Sequence, residues 1–146
     1  PSAFISFCND SIRRETFGTK SQWKKAVKDL PLQKRYETLP AVKIARLGVD
    51  KNYKGRGIGT RLLNTTIELF LYENRTGCRF LTVDSYFTQE ALTFYIRNGF
   101  QFFSHADKQK YERAFTEECK RDPIASEPST FCRETITLWF DLLRVF

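Results

Sequence analysis

The stretch Ala45–Leu63, A-R-L-G-V-D-K-N-Y-K-G-R-G-I-G-T-R-L-L, decides how this chain is read. An apolar run, Leu47–Gly48–Val49, passes into a loop with three alternating glycines, and the loop opens an amphipathic segment. Gly55, Gly57 and Gly59 leave the backbone bare where a helix would begin, and Lys54, Arg56 and Arg61 surround it with positive charge. The first N–H groups of a helix have no partner inside it and sit at the positive end of its dipole. Bare backbone, free donors and nearby cations together make a site for a phosphate or pyrophosphate.

Working outward, Ile58, Leu62, Leu63, Ile67, Phe70 and Leu71 recur at helical spacing, which predicts a helix over Ile58–Glu73 with Gly77 as its C-cap. Pro40 opens a strand over Ala41–Val49 before the loop, and Phe80–Val83 is a strand after the helix. A strand–helix–strand unit of this length implies a parallel pair. Upstream, Ala3–Cys8 alternates as a strand that Asn9 and Asp10 end, and Ser21 caps a short helix that Pro31 interrupts. Downstream come a helix over Gln89–Arg97, a strand over Phe100–Phe103, a helix over Lys108–Lys120, a Pro-containing loop, and a last strand over Thr135–Leu143.

At 146 residues the chain is read as one domain, residues 1–146. No stretch approaches the roughly 20 apolar residues needed to span a bilayer, and no leader-like segment stands at the start. The expectation is a soluble, cytoplasmic protein. Cys8, Cys78, Cys119 and Cys132 have no metal-ligand spacing and His105 is the only histidine, so free thiols are expected rather than a metal site. The net charge of +7 suits an anionic ligand such as a nucleotide cofactor or RNA, and equally a generic basic surface.

The glycine loop fails two familiar motifs. There is no G-x-x-x-x-G-K-S/T run, and a dinucleotide fingerprint would need glycine where Thr60 stands. What remains, K-G-R-G-I-G, resembles the pyrophosphate loop of the GNAT N-acetyltransferase superfamily, Q/R-x-x-G-x-G/A, with Lys54, Gly57 and Gly59 on its three positions. A-L-T-F-Y-I-R-N-G-F, Ala91–Phe100, resembles the family's A-x-x-F-Y-x-x-x-G-F signature. R-L-G-V-D, Arg46–Asp50, and the terminal F-D-L are similar to a toxin-like branch that acetylates aminoacyl-tRNA. Family members usually carry a strand, two helices and another strand before this core, so part of the N-terminal region is expected to lie outside this chain.

The resemblance implies an α/β (α+β) GNAT fold: a mixed, mostly antiparallel twisted sheet, splayed at a central parallel pair and flanked by helices. It implies acetyl-CoA as cofactor, with Lys54, Gly55, Arg56, Gly57, Ile58, Gly59 and Thr60 at the pyrophosphate. Leu47, Gly48 and Val49 would bond the pantetheine arm by their main chain, with the amide of Leu47 or Val49 polarising the thioester carbonyl. Tyr95, in the F-Y position, would be the general acid that serves the leaving thiolate. Asp84 is a candidate for amine binding or for deprotonation through water, but ordering a turn or capping is the role the sequence favours for it. Phe87 and Thr88 stand where relatives often carry a coenzyme-contacting asparagine, and Thr88 could cap the following helix. Tyr86 and Phe87 either line the acceptor groove or pack. The expected acceptor is a primary amine on a small molecule, a protein or an aminoacyl-tRNA. A homodimer and, for the toxin-like reading, an antitoxin are the further expected partners. The alternative is a non-catalytic module that binds acetyl-CoA or RNA.

Overall fold

In a computed structural model, which describes residues 1–31, 36–74, 76–118 and 134–144, five strands form one sheet. They are β1 Ala3–Arg13, β2 Thr38–Val49, β3 Phe80–Tyr86, β4 Gln101–Phe102 and β5 Thr135–Asp141, in the order β1-β2-β3-β5-β4. The helices are α1 Lys20–Ala26, α2 Ile58–Tyr72, α3 Gln89–Arg97 and α4 His105–Glu118. Only β2 and β3 run parallel; the other three pairings are antiparallel. The expected mixed sheet with one parallel pair at its centre is therefore present.

Alternation along β2 and β3 sends side chains to two cores. Val42, Ile44, Leu81 and Val83 join Ile136 and Leu138 under Leu63 and Ile67 of α2 and Leu92 of α3. Leu39, Ala41 and Phe80 face the other way, with Trp139, onto Phe17, Trp23, Ala26 and Val27. That second cluster is aromatic: Phe17 meets Trp23, Phe103 and Trp139 edge-on at 5.1–5.5 Å.

Several boundaries differ from expectation, each for a local reason. β1 runs on through Asn9 and Asp10 to Arg13, because Asp10 is held across the sheet by the Thr82 hydroxyl and, at 3.7 Å, by Lys43. β2 starts at Thr38, with Pro40 inside it at a point where the pairing with β3 has not begun. Thr19, not Ser21, caps α1 by accepting from the Gln22 N–H, and α1 ends well before Pro31. Glu73, not Gly77, is the C-cap of α2; Gly77, at φ 68°, lies in a turn organised by the Asn74 side chain. β3 continues to Tyr86 because β5 pairs it over its whole length. β4 is only two residues long. α4 starts early, at His105, because Ser104 accepts from the Asp107 N–H. β5 stops at Asp141, whose carboxylate turns inward to Arg79, and a short 3-10 turn follows. Lys120 and the expected Pro-containing loop lie outside the described residues. Among the described residues no helix is long and apolar enough to cross a membrane.

Candidate active site

The parallel pairing of β2 with β3 covers only Ala41–Ile44 against Phe80–Val83. Beyond it, β2 continues to Val49 against β1, and β3 continues to Tyr86 against β5. The parting has a local cause. Ser6 faces Arg46 but Phe7 faces Ile44, so Ala45 is the extra residue of a β-bulge. A bulge bends and twists the strand that carries it, which steers β2 away from β3 immediately after their last pair. No turn residue or glycine marks Ala45, and the sequence reading did not anticipate it.

The fork exposes main chain. The Asp50 N–H donates to the Ser2 carbonyl at 2.8 Å. Bonds to one antiparallel neighbour come from alternate residues, so Gly48 and Arg46 also face β1 with their main-chain groups. Leu47 and Val49 then turn theirs to the other edge, into the opening. A cleft of about 970 Å³ lies there, lined by Leu47–Val49, the glycine loop, Val83–Tyr86, Phe94 and Tyr95. Phe4 of β1 also lines it and lies opposite Gly48. A Cβ on Gly48 would come within 2.6 Å of the Phe4 ring. A glycine inside a strand signals such close approach, and it was the available clue to Phe4.

The loop is shaped by its own residues. Asp50 accepts from the Asn52 N–H at 2.8 Å and starts a 3-10 turn over Lys51–Tyr53. Gly55 and Gly57 follow at φ 76° and 74°, a conformation other residues resist. α2 then begins at Ile58 without a side-chain cap; its first main-chain bond runs from the Arg61 N–H to the Gly57 carbonyl. Among the described residues, no group accepts from the N–H of Ile58, Gly59 or Thr60. At Gly59 a Cβ would stand 3.1 Å from the Phe94 ring and 3.7 Å from Val49, so this glycine lets α2 close on α3 and β2 together. Lys54 pairs with Glu90 at 3.7 Å, both well exposed. The Arg56 guanidinium lies over the Tyr53 ring, 5.4 Å from its centroid.

Tyr95 reaches the cleft from α3. Thr88 caps that helix by accepting from the Ala91 N–H, as the sequence suggested. The Tyr95 ring is buried edge-on between Phe94 and Phe100, at 5.1 and 5.4 Å. Burial pushes its hydroxyl up to about 12. Among the described residues the hydroxyl has no hydrogen-bond partner, so no structural bond competes for it.

Asp84 is placed otherwise. It lines the cleft at the first position past the fork, yet its carboxylate accepts from Lys43 Nζ at 2.9 Å and from the Thr137 hydroxyl at 2.7 Å. Burial alone would raise its pKa, but the Thr137 and Lys43 bonds outweigh burial and hold it below the usual carboxylate range. A carboxylate so stabilised is a weak base. The arrangement favours its structural role, a tie from β3 to β2 and β5. Tyr86 is exposed at the cleft while Phe87 packs against Phe115 at 5.6 Å. Cys8 and Cys78 are free thiols, and among the described residues no cluster of His, Cys, Asp or Glu could hold a metal ion. Cys119 and Cys132 lie outside the described residues.

Comparison with known proteins bears on this geometry. No protein of curated function matches the sequence. Solved structures match it in fold. AtaT complexed with acetyl-methionyl-tRNAfMet is 19% identical, with a TM-score of 0.58 over 95% of this chain and 61% of its own. A tyrosine-to-phenylalanine mutant of KacT is 19% identical, with a TM-score of 0.62 over 99% of this chain and 66% of its own. AtaTR bound with acetyl-CoA is 20% identical, with a TM-score of 0.55 over 97% of this chain and 62% of its own. This chain thus spans a little over three fifths of the length of these structures, and at such identities the likeness establishes a common fold. The sequence pattern of the acetyltransferase (GNAT) domain matches residues 26–102, from α1 through the glycine loop and α3 to β4. With that match over more than half its length, the chain belongs to the GNAT acetyltransferase family.

Proposed function

We propose that this chain is an acetyl-CoA-dependent N-acetyltransferase that passes the acetyl group to a primary amine by direct attack. One observation carries the reading: an uncapped helix N-terminus opens onto a sheet forked by a bulge, and at the same cleft stands Tyr95, its ring packed and its hydroxyl unbonded among the described residues. The residues present fit the cofactor. The free amides of Ile58, Gly59 and Thr60, the bare Gly55–Arg56–Gly57 backbone and Lys54 suit a pyrophosphate. Main-chain groups of Leu47 and Val49, flanking Gly48, suit an amide-bearing arm that bonds like an added strand. The amide of either one is a donor for a thioester carbonyl. Acetyl-CoA, when bound, supplies the activated acyl group.

Tyr95 then acts on the sulfur side. With its pKa near 12 the phenol keeps its proton at any working pH. Complete transfer to a thiolate of ordinary pKa, about 8.5, would be uphill by about 5 kcal/mol. Tyr95 therefore first stabilises developing sulfur charge by donating a hydrogen bond, and gives up its proton only late. Tyr95→Phe should lower turnover by about 10²-fold, in the usual range for a positioned proton donor, while acetyl-CoA affinity by calorimetry is nearly unchanged. Unaltered turnover would remove Tyr95 from the mechanism. Failure of the protein to bind acetyl-CoA would overturn the whole reading.

A second, narrower reading is toxin-like acetylation of the amino group of aminoacyl-tRNA. It is favoured by the fold match to AtaT complexed with acetyl-methionyl-tRNAfMet and by the net charge of +7. Its test is growth arrest on expression, relieved in Tyr95→Phe, with acetylated aminoacyl-tRNA in the arrested cells. An antitoxin would then be the expected partner.

A further inference from the structure

We infer that Arg97 recognises the 3′-phosphate of coenzyme A, making the nucleotide end of the cofactor a point of selection. The inference rests on the acetyl-CoA reading above. A pyrophosphate seated on the first turn of α2 has two arms. One enters the fork between β2 and β3. The other, a nucleotide, must leave along the outside of α2. There the main cleft continues into a second one of about 600 Å³, bordered by Thr60 and Phe94 and running along α3 to Arg97 and Asn98.

The polar groups of that second cleft are not equivalent. The Thr93 hydroxyl is engaged with the Tyr111 hydroxyl at 3.1 Å. The Asn98 side-chain amide donates to the Phe94 carbonyl at 2.8 Å. Glu90, the one carboxylate in the lining, is paired with Lys54. It lies seven residues before Arg97, which separates the two by about 10 Å along the helix. Arg97 is exposed and, among the described residues, has no ion pair or other partner. An uncommitted guanidinium at the far end of a cleft that starts at a phosphate site is suited to a second, terminal phosphate, which it can hold through two parallel N–H donors. On coenzyme A that group is the 3′-phosphate of the ribose.

The test is calorimetric binding of coenzyme A and of dephospho-coenzyme A at one ionic strength, to the wild type, to Arg97→Gln and to Lys24→Gln. Lys24 is an exposed cation on α1 and lines neither cleft. Wild type should prefer coenzyme A by about tenfold, as expected for a charge-assisted bidentate contact at a partly exposed site. Arg97→Gln should bring the ratio near one by weakening coenzyme A alone, with dephospho-coenzyme A bound as before. Lys24→Gln should leave the ratio unchanged. Because Arg97 is exposed and unpartnered, loss of fold is not expected, and an unchanged melting temperature verifies it. Equal wild-type affinities, or a ratio that survives Arg97→Gln, would overturn the inference alone. Wild type that binds neither ligand would overturn the acetyl-CoA reading and the inference with it.

Discussion

Replacing Gly57 by alanine separates the cost of backbone conformation from that of space. Gly57 sits at φ 74°, directly before α2, and a Cβ built there meets nothing within 4 Å. Alanine therefore brings no clash. It brings the penalty of an L-residue in the left-handed region, about 1–2 kcal/mol. If the free loop relaxes to a negative φ, the cost is deferred to binding, because the Gly57 backbone must return to φ 74° to present the free amides of Ile58, Gly59 and Thr60 as they stand here. At about 1.4 kcal/mol per tenfold, acetyl-CoA should then bind roughly 5- to 30-fold more weakly, with little loss of stability. If the loop cannot relax, the same energy appears as a lower melting temperature instead. Asparagine, which tolerates this region better, should lose less than alanine. Gly59→Ala is the contrasting case. Its backbone is helical and its Cβ would press on Phe94 at 3.1 Å, so its cost depends on whether that ring shifts, and asparagine there should be worse than alanine. Titration calorimetry with acetyl-CoA, paired with thermal melts, reads both quantities. A Gly57→Ala protein that matches wild type in affinity and in stability would refute the argument, since the strain would then reside nowhere.

Three further outcomes follow from the structure. Asp141→Asn should lower the melting temperature by about 10 °C with acetyl-CoA affinity intact. It strips the charge that holds the largely buried Arg79 at 2.7 Å, at the end of β3 away from the cleft; a shift under 2 °C would count against it. The ratio of wild-type to Tyr95→Phe turnover should stay level from pH 7 to 10, because burial keeps the phenol protonated to about 12; a decline in that ratio with a midpoint below pH 9 would contradict the assignment. Asp84, held below the usual carboxylate range against its burial by Thr137 and Lys43, contributes stability above its unfolded pKa of about 4, and that contribution is lost as pH falls through the lower folded value. Asp84→Asn should accordingly flatten the acid side of the stability profile below pH 4 and leave the neutral rate largely in place. A neutral rate that collapses in this variant would restore Asp84 as a working base.

What the sequence made legible was whatever is written in local chemistry. The start of α2 at Ile58, the cap at Thr88 and the parallel pair around the glycine loop each follow from residues within a few positions of one another. What it left hidden in the sheet and the site are groups whose partners are distant in sequence. Asp10 looks like a strand terminator until Lys43 of the adjacent β2 and Thr82 of β3, one strand further on, hold it. Asp84 looks available for chemistry until Lys43 and Thr137 engage it, 41 and 53 positions away. A cross-strand hydrogen bond has no sequence spacing to recognise, so propensity rules misassign the residues that make one.

The same reasoning explains why the motif located the site without explaining its shape. Gly55, Gly57 and Gly59 specify a place where donors are free, but free donors at a helix start would bind any phosphate. The fork is what narrows the ligand to one that carries a long arm with main-chain-like hydrogen-bonding groups, and the fork depends on a single surplus residue, Ala45. That residue's effect lies in the register of β2 against β1, not in its side chain. Deleting Ala45 should therefore be more damaging than any substitution there. It would let β2 run on beside β3 past Ile44 and Val83, engage the main chain of Leu47 and Val49 in sheet bonding, and close the cleft. The glycine loop would keep its residues and its charge. The expected result is a folded protein that has lost acetyl-CoA binding, whereas Ala45→Ser should bind as wild type does. Tight binding by a folded deletion variant would show that the opening between the strands has some other origin than the bulge.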